Sequence, residues 1–261
     1  MLVMHRRLYR ADLPPTVGAG GTVDFVNFDG QEYSPDIETR ETPGTPGILQ
    51  AFRAALGSHP SIELMGGRRL ARGLPIFSLN MRVGASWLHP RFVTTLLNDL
   101  FGIQTRAGCS CAAPYGHRLL HIDTRTSDRL HQTIRRGNVG LKPGWTRVTF
   151  HFLHTDRQVE FIADAIRFVA DHGVKLLPVY RFDVRTGAWH HCDAAAGQPS
   201  AGLTEALRGS AVVDVDDDAL LGPLFDGYLA EARRLAAETA RRHAGAELKT
   251  TEKDLVPFVY V

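Results

Sequence analysis

Between Pro90 and Pro114 the chain spells a helix, a stop, a short strand and a tight loop without interruption. Phe92, Val93, Leu96, Leu97 and Leu100 recur at helical spacing behind Pro90, a residue suited to a first helical turn, and Gly102 ends the pattern. Ile103 to Arg106 then reads as a short strand. It runs into Arg106-Ala107-Gly108-Cys109-Ser110-Cys111-Ala112-Ala113-Pro114, a loop punctuated by Gly108 and Pro114. Loops held by a rigid scaffold commonly carry chemistry. Arg106 supplies a positive charge that favours the thiolate of a nearby cysteine.

The flanks extend this α/β unit. Leu74 to Met81 reads as a strand before it, and Gly144 to Phe150 as a strand after it. Arg147 lies inside the second strand. An arginine there is either exposed on an edge or paired with an anion, because a buried guanidinium without a partner is costly. The planar fork suits a bidentate carboxylate clamp, and that reading is favoured here. Thr155 to Gln158 is a capping-box pattern. It opens a helix with one apolar stripe, Val159, Ile162, Ala163, Ile166, Val169 and Ala170, which Gly173 is expected to end. Tyr115 to Arg118 reads as a turn, and Leu176 to Ala201 as loop-rich. A last amphipathic helix carries Leu221, Leu224, Phe225, Tyr228 and Leu235, with Glu231, Arg233, Arg234, Glu238 and Arg242 on its other face.

At the other end, Thr22 to Phe28 reads as a strand and Asp29-Gly30 as a hairpin turn. Thr45 and Pro46 are placed as N-cap and first turn of a helix from Ile48 to Leu56. The same helix end can cap itself or present N–H groups to an anion. Met1 to Met4 reads as part of a strand buried on both faces, which leads one to expect chain ahead of it.

Composition sets the outer limits. With 261 residues, 44% hydrophobic and 22% charged, the chain can bury a core as one large or two small domains. A net charge of +2 makes no case for nucleic acid or an anionic membrane. Three cysteines, two of them one residue apart, are a poor disulfide framework and point to a reducing, cytoplasmic setting. Cys109, Cys111, His117 and His121 are a poor match to zinc spacing. His190-His191-Cys192 reads as a surface turn. Cys111 is left as nucleophile, bystander thiol or ligand.

The Arg-x-Gly-x-x-Cys-Ala-x-Pro pattern of residues 106–114 resembles the nucleophile segment of cysteine desulfurases, members of the class V aminotransferase family of pyridoxal-phosphate (PLP) enzymes. The resemblance implies that Cys111 takes the persulfide-forming position and that Arg147 holds the substrate carboxylate. It also implies that Gly44 and Thr45, in Gly-Thr-Pro, reach the PLP phosphate of the opposite subunit of a homodimer. Its fold expectation is the C-terminal part of fold type I. Residues 1–64 would be a remnant of the large domain, 65–190 the small α/β domain, and 191–261 a loop and a C-terminal helix.

The resemblance covers only the C-terminal part of the family pattern. PLP chemistry needs a lysine for the internal aldimine. The lysines are Lys142, Lys175, Lys249 and Lys253, and none lies where the family places it. The expectation is a truncated aminotransferase or cysteine desulfurase, acting on an amino acid only with a complementing N-terminal half. The alternative is a non-catalytic binding or assembly module.

Overall fold

The computed structural model describes residues 9–10, 13–15, 23–26, 30–41, 56–66, 75–108, 113–150, 154–193, 218–251 and 255–261. The protein is mixed α/β and divides into two compact units, 1–48 and 49–261.

In the first unit, β1 (Val23–Val26) and β2 (Gln31–Tyr33) form the antiparallel pair expected around Gly30, with a register break between Val23 and Phe25. A short helix, α1 (Ile37–Arg40), follows. The Tyr9 hydroxyl donates to Glu41 at 2.9 Å. The expected helix start at Thr45 lies outside the described residues.

The second unit is built on an antiparallel sheet. Its strands are β3 (Ile62–Leu64), β4 (Ile76–Val83), β5 (Ser86–Trp87), β6 (Arg106–Gly108) and β7 (Trp145–Thr149). The order is β3-β4-β7-β6, and β5 pairs with β4. Phe77, Leu79 and Met81 of β4 alternate onto one face, joined by Thr146 and Val148 of β7, and all are buried. That face packs on α2 (Pro90–Phe101) and α5 (Asp156–Leu176). The Thr146 hydroxyl donates to the Pro90 carbonyl at 3.1 Å, fixing β7 to the start of α2.

Local signals explain both helices. Gly102, at φ 66, stops α2 by taking the left-handed turn that a side chain resists. Both halves of the Thr155–Gln158 capping box form at the start of α5. Gly173 does not end α5, however; the helix runs three residues further, to Leu176. A Cβ on Gly173 would sit 3.0 Å from Leu88 and 3.4 Å from Leu96. The glycine therefore serves a close crossing with the segment around α2, and tertiary packing overrides its weak helix propensity.

Two further segments differ from the sequence expectation. Tyr115 to Arg118 lies within a helix, α3 (Ala113–Leu119), followed by α4 (Thr124–Arg135), whose N-cap Asp123 accepts from the Thr126 N–H at 2.7 Å. The stretch after Leu176 is not all loop. A 3-10 turn, Leu177–Val179, leads into a hairpin of β8 (Tyr180–Phe182) and β9 (Trp189–His191). Trp189 and Tyr180 are buried against Phe92, so aromatic packing fixes a hairpin whose strands are too short for periodicity to reveal.

The last helix, α6 (Asp218–Arg242), lies on α5. Phe161 stacks on Phe225 at 4.0 Å, and Arg157 pairs with Asp226 at 2.7 Å. A closing hairpin of β10 (Lys249–Thr250) and β11 (Val259–Tyr260) brings Phe258 beside Trp87.

Candidate functional site

The sheet's second face is polar. Cross-strand partners point to the same side of a sheet, and here Ser78 faces Arg147 and Arg147 faces Arg106. Ile76, Ser78, Arg147, Thr149 and Arg106 are half-buried or exposed. Paired residues of this kind hold their Cβ atoms about 5 Å apart. Two guanidinium groups therefore rise side by side from β6 and β7. Among the described residues, the ion pairs all involve other groups.

β7 lies inside the sheet, between β4 and β6, so Arg147 is not an edge residue. Half-buried, without a carboxylate partner among the described residues, it is free to take an anion. Arg106 had drawn notice in the sequence only as a charge near the cysteines. Its pairing with Arg147 is a register fact, and two strands separated by 36 intervening residues give no local signal of it. Cys109, Cys111, Gly44 and Thr45 lie outside the described residues. β6 ends at Gly108, the residue before Cys109, so the arginine strand is also the strand that delivers the cysteine loop.

One end of the polar face is covered. Trp145 is buried beneath α3, whose Gly116 leaves room for the indole: a Cβ there would lie 3.6 Å from the ring. Asn80, also buried, has an Oδ1 without a donor among the described residues. An acceptor in that state raises the cost of closing this end further.

A second polar feature has no counterpart in the sequence reading. His89 is buried between Phe182, Trp189 and Phe258. Its Nδ1 accepts from the Arg91 N–H and from the Trp189 indole N–H, both at 3.2 Å. Its Nε2 therefore carries the proton and donates to the Gly140 carbonyl at 2.8 Å. Burial pushes the imidazole down from its ordinary 6.5 to about 4; the Gly140 carbonyl opposes this and the Arg91 charge adds to it. With both nitrogens engaged, His89 is a cap and a strut. The position just before Pro90 was the available clue, since that is where an N-cap belongs. Beside it lies a small cleft lined by Arg91, Gly108, Val139, Gly140, Lys142 and Gly144.

Among the described residues no three His, Cys, Asp or Glu side chains stand close enough to hold a metal. His117 is engaged with the Ser127 hydroxyl at 2.9 Å. Cys192 is exposed at the end of β9. No described helix is long and apolar enough to cross a membrane.

No protein family and no curated protein matches the chain. Among solved structures it is similar to the apo cysteine desulfurase of Thermococcus onnurineus NA1, with 19% identity over 60% of this chain and a TM-score of 0.33. It is also similar to the cysteine desulfurase CsdA of Escherichia coli, in an S-sulfonic acid form, with 18% identity over 62% of this chain and a TM-score of 0.30. In both cases the match spans 39% of the neighbour's length. So small an overlap carries no argument about the chemistry, which rests on the residues themselves.

Proposed function

We propose that this chain is the carboxylate-holding, thiol-presenting lobe of a class V PLP-type enzyme. The supporting observation is the cross-strand pairing of Arg147 with Arg106 on the polar face, at the strand that delivers the cysteine loop. Arg147 holds the carboxylate of an amino acid, because a guanidinium fork binds it through two parallel hydrogen bonds. Arg106 adds a second positive charge. It favours an anionic ligand and lowers the energy of the Cys111 thiolate, the form that attacks sulfur. Gly44 and Thr45 are assigned to a phosphate contact with an opposite subunit.

The lysines do not fit the cofactor. Lys175 bonds to His172 at 3.0 Å on α5, Lys249 lies in the closing hairpin, and Lys142 lines the cleft beside His89. None stands in register with Arg147. Lys253 lies outside the described residues. On this reading the aldimine lysine comes from another polypeptide segment, and the share of this chain is binding and orientation. The same observation favours a second reading, a binding module without catalysis.

Alkylation of Cys111 separates the two readings. In a Cys109→Ser, Cys192→Ser background, Cys111 is the one thiol left. Its pH midpoint should fall below the ordinary value of about 8.5 and return to it in Arg106→Gln. L-cysteine or L-alanine should slow the reaction, and Arg147→Gln should abolish that protection. A midpoint indifferent to Arg106, with no protection by amino acids, would leave only the binding module.

A further inference from the structure

Next to the end of β6, whose Gly108 lines the same cleft as Arg91 and Lys142, three segments converge: the start of α2, the end of α4 with the 3-10 turn Val139–Leu141 behind it, and the turn between β8 and β9. Three hydrogen bonds lock them together. The Gly140 N–H donates to the Val184 carbonyl at 2.8 Å, His89 donates to the Gly140 carbonyl, and Arg91 Nη1 donates to the Thr186 carbonyl at 2.5 Å. The fit is close enough to require glycine: a Cβ on Gly140 would lie 2.7 Å from the Val184 carbonyl oxygen. This surface is thus held by one backbone contact and by the side chains of His89 and Arg91, and the shape does not depend on Arg136, Lys142 or Arg185.

Those side chains have a distinct pattern. Arg91, Arg135, Arg136, Lys142 and Arg185 are all exposed. The Arg185 guanidinium lies over Gly137, immediately after Arg136, and Arg91 and Lys142 line one cleft. The ion pairs among the described residues lie elsewhere. The nearby acid, Asp183, is consumed by its own turn, accepting from the Arg185 and Thr186 N–H groups and the Thr186 hydroxyl. Among these cations Val139 and Val184 are 37% and 36% exposed.

We infer that this surface docks an acidic segment of a partner protein, with one carboxylate of that partner seated in the cleft between Arg91 and Lys142. An apolar centre with a charged rim is the anatomy of a protein interface. Unpaired cations on a preformed surface repel one another, and an opposing acidic surface relieves that repulsion while steering the encounter. Single-stranded nucleic acid is the less suitable polyanion. It needs exposed aromatic rings for its bases to stack on, and the exposed apolar side chains here are two valines. The net charge of the chain, only +2, hides the patch because acids elsewhere cancel it.

The test is fluorescence anisotropy with the full chain and a labelled peptide of Glu-Glu-Leu repeats. An oligoglutamate of equal charge and a labelled oligothymidylate serve as the other two probes. The Glu-Glu-Leu peptide should bind most tightly, and its affinity should fall as salt is raised. Arg136→Glu with Lys142→Glu should weaken it by about tenfold or more. Val139→Asn with Val184→Asn should reduce it to the level of oligoglutamate. Arg241→Glu with Arg242→Glu, an equal charge change at the end of α6, should leave it within about twofold. Circular dichroism confirms that each variant is folded, and Arg185→Gln supplies a milder change if the double reversal unfolds. Equal peptide binding by wild type and the Arg136/Lys142 variant, or tighter binding of oligothymidylate than of the peptide, would overturn the inference.

Discussion

The two faces of the central sheet come from the same strands and differ in almost everything else. Neighbouring residues make the point: Leu79 is fully buried against the helices, while Ser78, one position back, faces Arg147 across the polar side. Alternation along a strand forces this division. The apolar face gives up conformational freedom for burial and carries the stability of the unit. The polar face keeps two arginines without described partners, so it contributes little to folding and has binding energy in reserve. A region that stabilises the fold and a region that can bind are thus separated by the thickness of one sheet.

The sharpest way to break the comparison is Leu79→Ala. Removing a fully buried leucine should cost about 3 kcal/mol in urea unfolding, and a loss below about 1 kcal/mol would mean that the apolar face is not the stabilising one. Acid probes the apolar side differently. His89 resists protonation in the folded protein, with its value held at about 4 against 6.5 when unfolded. Between those values the unfolded chain binds a proton that the folded chain does not. Stability should therefore be intact above about pH 6.5, fall as pH falls toward 4 by up to about 3 kcal/mol, and level off below. His89→Phe should flatten that slope; an unchanged slope would mean that other groups set it.

Smaller effects test the cover of the apolar face. Thr155→Ala removes one half of the α5 capping box and should cost about 1 kcal/mol by thermal or urea unfolding. The polar face supplies the smallest change. Arg147→Gln should move stability by no more than about 0.5 kcal/mol, because the side chain is half-buried and has no described ion-pair partner to lose. Amino-acid protection of Cys111 should vanish in the same variant. A destabilisation of about 2 kcal/mol would recast Arg147 as a structural residue.

Much of this division was readable along the chain. The α2 stripe with its glycine stop, the capping box of α5 and the apolar beats of β4 are local patterns, in which each residue's role depends on neighbours within a turn or two. The face occupied by Arg147 followed from such patterns only in part. Trp145, Val148 and Phe150 do not keep a strict alternation, and the structure divides them: Trp145 joins the polar face under α3, while Thr146 packs against α2. A tryptophan is bound to be buried somewhere, but the choice of cover is made by a helix that the sequence reading took for a turn.

By itself, then, the sequence determined the elements with their own periodicity and caps, and it marked the Arg106 to Pro114 loop and Arg147 as the residues worth watching. Tertiary structure alone decided that Arg106 and Arg147 stand side by side, that Gly173 continues a helix, that His89 joins α2 to the Gly140 turn and the β8–β9 hairpin, that Arg91 and Lys142 line one cleft, and that Arg185 lies over Gly137. The reason is the range of the interactions. Hydrogen bonds within a turn and apolar spacing act over a few residues, whereas strand register and close backbone approach join segments tens of residues apart, and only the folded chain brings their chemistry together.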